Sequence, residues 1–232
     1  MRQLPLGVQL GVSLRFDTFA AGANAAAVEA LRRLADGASG APVWVYGPPG
    51  SGRSHLLQAA CAEAGRAGRA AAYLPLALLR SEGPQILDGF DQLALVALDD
   101  LDGVAGDAAF EAALFTLYNG LAEHRRSLAI ASAGSPASTA VRLPDLASRL
   151  AASEVHRLEP LAESEQPAAL RHRAERRGLE LPEETLAFLT RRAPRDFATL
   201  CRMLDALDTE SLAAQRRLTV PFVREWLARG AA

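Results

Sequence analysis

The sequence predicts an α/β fold: a mostly parallel sheet covered by helices on both faces, followed by a small unit made only of helices. Three observations carry this. Short apolar runs alternate with helical segments after residue 40, a Gly-rich turn joins the first of those runs to a helix, and the pattern becomes purely helical after Pro160.

In chain order, VWVY (43–46) reads as a buried strand, then comes the turn, then a helix from about Arg53 to Ala64. AAYLPL (71–76), LALVAL (93–98), SLAIAS (127–132) and EVHRLEPL (154–161) read as further strands. FEAALFTLYNGLAEH (110–124) spaces its apolar residues at i, i+3 and i+4, the signature of an amphipathic helix. Past Pro160, ESEQPAALRHRAERRGL, PEETLAFLTRRA, RDFATLCRMLDAL and PFVREWLAR form four helical segments bounded by Pro, Gly or acidic first-turn residues. The expected organisation is an N-terminal tail (1–14), an α/β core (15–160) and a helical lid (161–232).

The composition excludes several classes. With 232 residues, half of them hydrophobic, the chain can bury a large core. A net charge of −2 gives no global attraction to polyanions, so direct sequence-specific DNA binding is not expected. All 25 basic residues are arginine, so no lysine can fill a phosphate-binding role. The two cysteines and four histidines are scattered without metal-ligand spacing. Residues 1–14 lack the order of a signal peptide, and no apolar run approaches the ~20 residues of a membrane span. A cytoplasmic protein with no membrane contact is expected.

GPPGSGRS (47–54) carries the main functional signal. It follows a strand and opens a helix, the setting in which a loop cradles phosphates. Gly47, Gly50 and Gly52 let the backbone curl so that successive N–H groups face one anion, with Pro48, Pro49 and Ser51 filling the bend. The helix start adds its positive dipole end. Ser54 offers a hydroxyl to Mg2+, and His55 follows it at the site. The usual motif has lysine where this chain has Arg53, whose planar fork binds phosphate differently and alters alignment over the β- and γ-phosphates. A ligand-free Gly/Pro turn is the competing reading.

A second apolar strand ends in acids, LALVALDDLD. Asp99 and Asp100 emerge at the carboxyl edge of the sheet, Asp99 suited to the Mg2+ shell and Asp100 to polarising an attacking water. Loop solvation is the rival explanation. Together the two motifs read as a Walker A and Walker B pair for ADP or ATP with Mg2+.

The combination GPPGSGRSHLL, ALDDLDGVAGD, LFTLYN, LPDLASRL and LTVPFVREWL resembles the Hda family of DnaA-related AAA+ proteins, over residues 3 to about 227. The resemblance implies that Arg149, in LPDLASRL, is an arginine finger acting in trans on the nucleotide of a neighbouring DnaA; such a group is worth ~10³–10⁵ in rate in well-studied NTPases. A solvated arginine ending a helix is the plain alternative. It also implies that Arg195 is the sensor II arginine of the lid, that Phe16 and Phe19 pack near the adenine, and that LAIASAG (128–134) is the first sensor. In that sensor Ser132 is polar, but Ala133 stands where relatives carry an acidic or polar residue. Finally, Gln3, Leu4 and Leu6 match the peptide that engages the sliding clamp, the β subunit of DNA polymerase III, with Gly7 and Val8 departing from the pattern.

The implied function is a clamp-bound, nucleotide-bound adapter, with ADP as the expected ligand, that stimulates hydrolysis of DnaA-bound ATP and so restrains replication initiation. Its own ATPase is expected to be weak or absent, because of Arg53 and Ala133. Two other readings stay open: an autonomous AAA+ ATPase, such as a helicase or clamp loader component, and a scaffold with a vestigial site. Self-association is open as well.

Overall fold

The computed structural model describes residues 14–38, 40–192 and 197–229. They divide into two compact units, one holding the described residues up to Asp17 with Ala21–Glu159, the other Thr18–Ala20 with the described residues from Pro160 onward.

The first unit is built on five parallel strands, β1 (Val43–Tyr46), β2 (Ala71–Pro75), β3 (Leu95–Asp99), β4 (Ser127–Ser132) and β5 (Glu154–Arg157), in the order β2-β3-β4-β1-β5. Its helices are α1 (Ala25–Ala35), α2 (Arg53–Arg66), the short α3 (Leu76–Leu79), α4 (Ala108–Glu123) and α5 (Pro144–Ala151). Parallel strands need crossovers that cover both faces, and strand alternation divides the side chains between them. Trp44, Val96, Leu98 and Ile130 join Phe110, Leu114, Leu117 and Leu121 of α4 and Leu146 and Leu150 of α5 in one core. Val43, Val45, Ala97, Ala129 and Ala131 alternate to the face over which α1 and α2 pack. The small alanines of that face, matched by Ala27, Ala30, Ala59 and Ala60, allow close helix approach.

The sequence-predicted elements are present, with shifted ends. β5 stops at Arg157 rather than running to 161: Leu158 gives its N–H to the Tyr46 carbonyl at 2.6 Å, and Pro160 lies just beyond. β3 begins two residues later than expected and takes in Asp99. α4 starts earlier, at Ala108, because Asp107 caps it by accepting the N–H groups of Ala109 and Phe110 at 3.1 and 3.2 Å. The helix α1 had no counterpart in the sequence reading.

The second unit contains α6 (Gln166–Arg176), α7 (Glu183–Arg192), α8 (Phe197–Ala214) and α9 (Val220–Ala228), around Leu170, Leu186, Leu204, Phe222 and Trp226. One polar device links α6 to α8. The Arg173 side chain is buried and forks onto Asp205, with Nη2 2.9 Å from Oδ2 and Nε 3.3 Å from Oδ1. Arg177 reaches both Asp205, at 2.5 Å, and Asp208, at 2.9 Å. A buried guanidinium is tolerated only with such partners.

Replacing Asp205 with alanine removes the carboxylate that both Arg173 and Arg177 bond. We expect a loss of about 3 kcal/mol in the helical unit, measured by denaturant unfolding of the full chain.

Candidate functional site

The bend after β1 leaves no room for a side chain. A Cβ on Gly47 would lie 2.5 Å from the Leu158 carbonyl oxygen, and 3.0 Å from Ser51 Oγ. Gly50 and Gly52 have φ of 82° and 91°, in the left-handed region that favours glycine. Pro48 and Pro49 stand exposed on the outside, with the Pro48 carbonyl accepting the Ser51 N–H at 3.2 Å. The Gly52 carbonyl accepts from Leu56 at 3.0 Å, which starts α2. The bend thus delivers the chain into the N-terminus of a 14-residue helix. Ser54 is exposed at its first turn, while the His55 ring donates from Nε2 to the Arg15 carbonyl at 2.9 Å.

Two side-chain atoms at the bend are buried without a hydrogen-bond partner, Ser51 Oγ and Arg53 Nη1. Buried polar atoms are rarely left so. A hydroxyl and a guanidinium N–H beside glycine amides and a helix N-terminus form a donor set that suits a diphosphate.

Asp99 closes β3 and is fully buried. Its Oδ2 accepts the Tyr73 phenol at 2.6 Å and its Oδ1 the Asp100 N–H at 2.9 Å. Burial, reinforced by the Asp99 charge, pushes the Tyr73 hydroxyl well above its ordinary pKa, so it stays a donor. Asp100 sits at φ 52°. Burial and the Asp99 charge raise its carboxyl above the ordinary value, against the lowering effect of Arg53. Arg53 Nη2 is 3.8 Å from Asp100 Oδ1. The structure therefore joins two residues that were assigned separate tasks: the arginine standing for the phosphate-binding lysine lies against the acid proposed to polarise water.

The end of β4 is stitched to the same edge. Ser132 is fully buried and its Oγ donates to the Gly134 carbonyl at 2.5 Å; the Trp44 indole donates to that carbonyl at 3.1 Å. Ala133 contributes its backbone N–H to Asp102 Oδ1 at 2.9 Å.

Arg149 is exposed on α5, its guanidinium 4.9 Å from the Phe115 ring centroid and 5.5 Å from that of Tyr118. Among the described residues no carboxylate pairs with it. Phe16 is buried, with the Arg32 guanidinium 5.3 Å from its ring. Arg195, Gln3, Leu4 and Leu6 lie outside the described residues.

Sequence reasoning missed Tyr73 and Asp102. The Tyr73 contact depends on the register of β2 against β3, in which Tyr73 stands opposite Ala97 and Pro75 opposite Asp99. Asp102 could have been suspected from the third acid of DDLD, but its target is the end of a different strand.

Residues 163–227 match the family described as Hda, lid domain. Domain III of the replication initiation protein DnaA from Thermotoga maritima superimposes with a TM-score of 0.73 at 22% identity, covering 94% of this chain and 97% of that one. AMPPCP-bound DnaA from Aquifex aeolicus gives 0.67 at 21% identity, over 86% of this chain and 66% of that one. The Holliday junction branch migration motor RuvB of Thermotoga maritima gives 0.58 at 14% identity, over 87% and 67%. These likenesses establish the fold, a parallel sheet flanked by helices and followed by a helical region.

Replacing Gly47 with alanine forces the bend away from the Leu158 carbonyl. We expect a stability loss of about 1–3 kcal/mol and failure to bind a fluorescent adenine nucleotide, read by thermal unfolding and by titration.

Proposed function

We propose that this chain, an AAA+ protein with an Hda lid domain, is a regulatory adapter that stimulates hydrolysis of ATP bound to DnaA and so damps replication initiation. The observation that carries this reading is Arg149. A cation held over two aromatic rings, exposed and unpaired with any acid among the described residues, keeps its charge accessible from outside, which supports a role toward a partner. In DnaA's nucleotide site it would neutralise charge developing on the γ-phosphate as the bond to the leaving oxygen lengthens.

The chain's own site serves a different purpose in this reading. A bound ADP or ATP with Mg2+ would supply the diphosphate charge that the 47–54 amides face, with Ser54 and Asp99 the residues to hold the metal. AMPPCP bound to the DnaA neighbours supports an adenine nucleotide. Arg53 leans on Asp100, and Ala133 offers only a backbone N–H, so the machinery for activating water is restrained. Nucleotide binding then organises the subunit rather than driving turnover. Arg195 would reach the phosphates from the lid, and Gln3, Leu4 and Leu6 would seat in the apolar pocket of the sliding clamp. The reading implies a cytoplasmic protein, and among the described residues no helix is long and apolar enough to cross a membrane.

The acid pair at the end of β3 favours a second reading, an autonomous AAA+ ATPase such as a helicase or clamp loader component. Turnover of order 1–10 per second by the isolated protein would select it over the adapter.

Replacing Arg149 with alanine should abolish stimulation of DnaA-bound ATP hydrolysis and leave nucleotide binding by this chain unchanged, the two being assayed side by side. Replacing Gln3 and Leu4 with alanine should remove retention on clamp-loaded DNA; retention at the wild-type level would exclude the tail as the clamp ligand.

A further inference from the structure

Glu111 is a carboxylate where the surrounding pattern calls for an apolar residue. It lies on α4 among Phe110, Leu114 and Leu117, and only 2% of its surface is exposed. No arginine pairs with it among the described residues. Its oxygens are instead satisfied by three backbone N–H groups. Oε1 accepts from Gly106 at 2.7 Å and Arg142 at 3.0 Å; Oε2 accepts from Arg142 at 3.1 Å and Leu143 at 2.7 Å. Gly106 lies just before the cap of α4, and Arg142 and Leu143 immediately precede Pro144, the first residue of α5. One buried negative charge thus ties the start of α5 to α4, close to the positive end of the α5 dipole.

The same face of α4 holds the other end of α5. Glu111, Phe115 and Tyr118 follow at i, i+4 and i+7, one stripe of a helix. Glu111 grips Leu143, whereas Phe115 and Tyr118 support the guanidinium of Arg149. From the cap residue Leu143 to Arg149 the chain climbs about 9 Å, and from Glu111 to Phe115 and Tyr118 about 6 and 10 Å, so the rings bracket the height at which Arg149 stands. Leu146 and Leu150 bury the face of α5 between them.

We propose that Glu111 is a positioning residue for Arg149: by fixing the backbone amides that lead into α5 it sets where along α4 the finger stands. This rests on the adapter reading above. Apolar packing by Leu146 and Leu150 holds α5 down but does not set its position along α4, because dispersion contacts are non-directional. Hydrogen bonds donated by three fixed amides to one carboxylate do set it. A finger that must meet charge on another subunit's phosphate loses its effect with small misplacements.

The test is Glu111→Gln in the full chain. Glutamine keeps the shape but turns an NH2 toward an N–H that needs an acceptor. Hydrolysis of DnaA-bound ATP is followed in single turnover with the DNA-loaded clamp, across a range of concentrations of this protein. The expected result is a maximal rate lower by about 10- to 100-fold, with the half-saturating concentration and this chain's own nucleotide affinity unchanged. Combined with Arg149→Ala, the change should cost nothing further, because Glu111 acts through that side chain. Amide exchange should quicken at Gly106, Arg142, Leu143 and α5, but not in α2. A maximal rate equal to wild type, a further loss on top of Arg149→Ala, or faster exchange throughout the unit would overturn the assignment. If E111Q does not fold, Glu111→Asp, which keeps the charge one methylene short, is read by the same criteria. If the wild-type protein itself gives no stimulation, the adapter reading fails. The positioning of α5 then stands or falls on the exchange pattern, where no local quickening overturns it.

Discussion

The space beneath the Leu158 carbonyl governs the unit built on the five-stranded sheet. β1 lies between β4 and β5, and the continuation of β5 bonds back to Tyr46, bringing that carbonyl to within 2.5 Å of where a Cβ on residue 47 would stand. Only glycine fits. The chain must then turn through two left-handed glycines before it can enter α2, which aims the backbone amides of the turn and the helix dipole into one small region. The convergence of amide donors at the bend follows from this crowding.

Electrostatics around the bend then decide what the site can do. Asp99 is buried at the edge of the sheet and satisfied by the Tyr73 phenol and a backbone N–H. Asp100 lies against Arg53 and is itself partly desolvated. A guanidinium facing an acid is a divided phosphate ligand. Arg149 has the opposite environment: aromatic faces stabilise its charge without neutralising it, leaving it available to another molecule. The unit holds one restrained arginine at its own phosphate loop and one presented at its surface. This contrast fits an adapter better than a motor.

The helical unit relies on a different constraint. Its core is leucine-rich and would tolerate several helix registers, but Arg173 and Arg177 bracket Asp205 and Asp208 and link α6 to α8 at defined positions. A buried guanidinium adds little net stability; misplacing it is costly, so the network acts mainly against alternative packings.

Much of the fold was written in local pattern. The strand cores, the helical segments after Pro160 and the Gly-rich bend can be read from periodicity and glycine placement, because buried strands, amphipathic helices and left-handed turns each restrict the residues that compose them. The candidate site residues from Gly47 to Ser54 and the acids at 99 and 100 were legible for the same reason, as short contiguous motifs. The tertiary structure decided what those residues face. That Arg53 meets Asp100, that Tyr73 completes Asp99, that Asp102 holds the end of β4 and that Glu111 grips the start of α5 are contacts between distant segments, set by strand order and register. Local pattern encodes which face a residue occupies, whereas its partner across the fold depends on how the strands and helices are arranged in space.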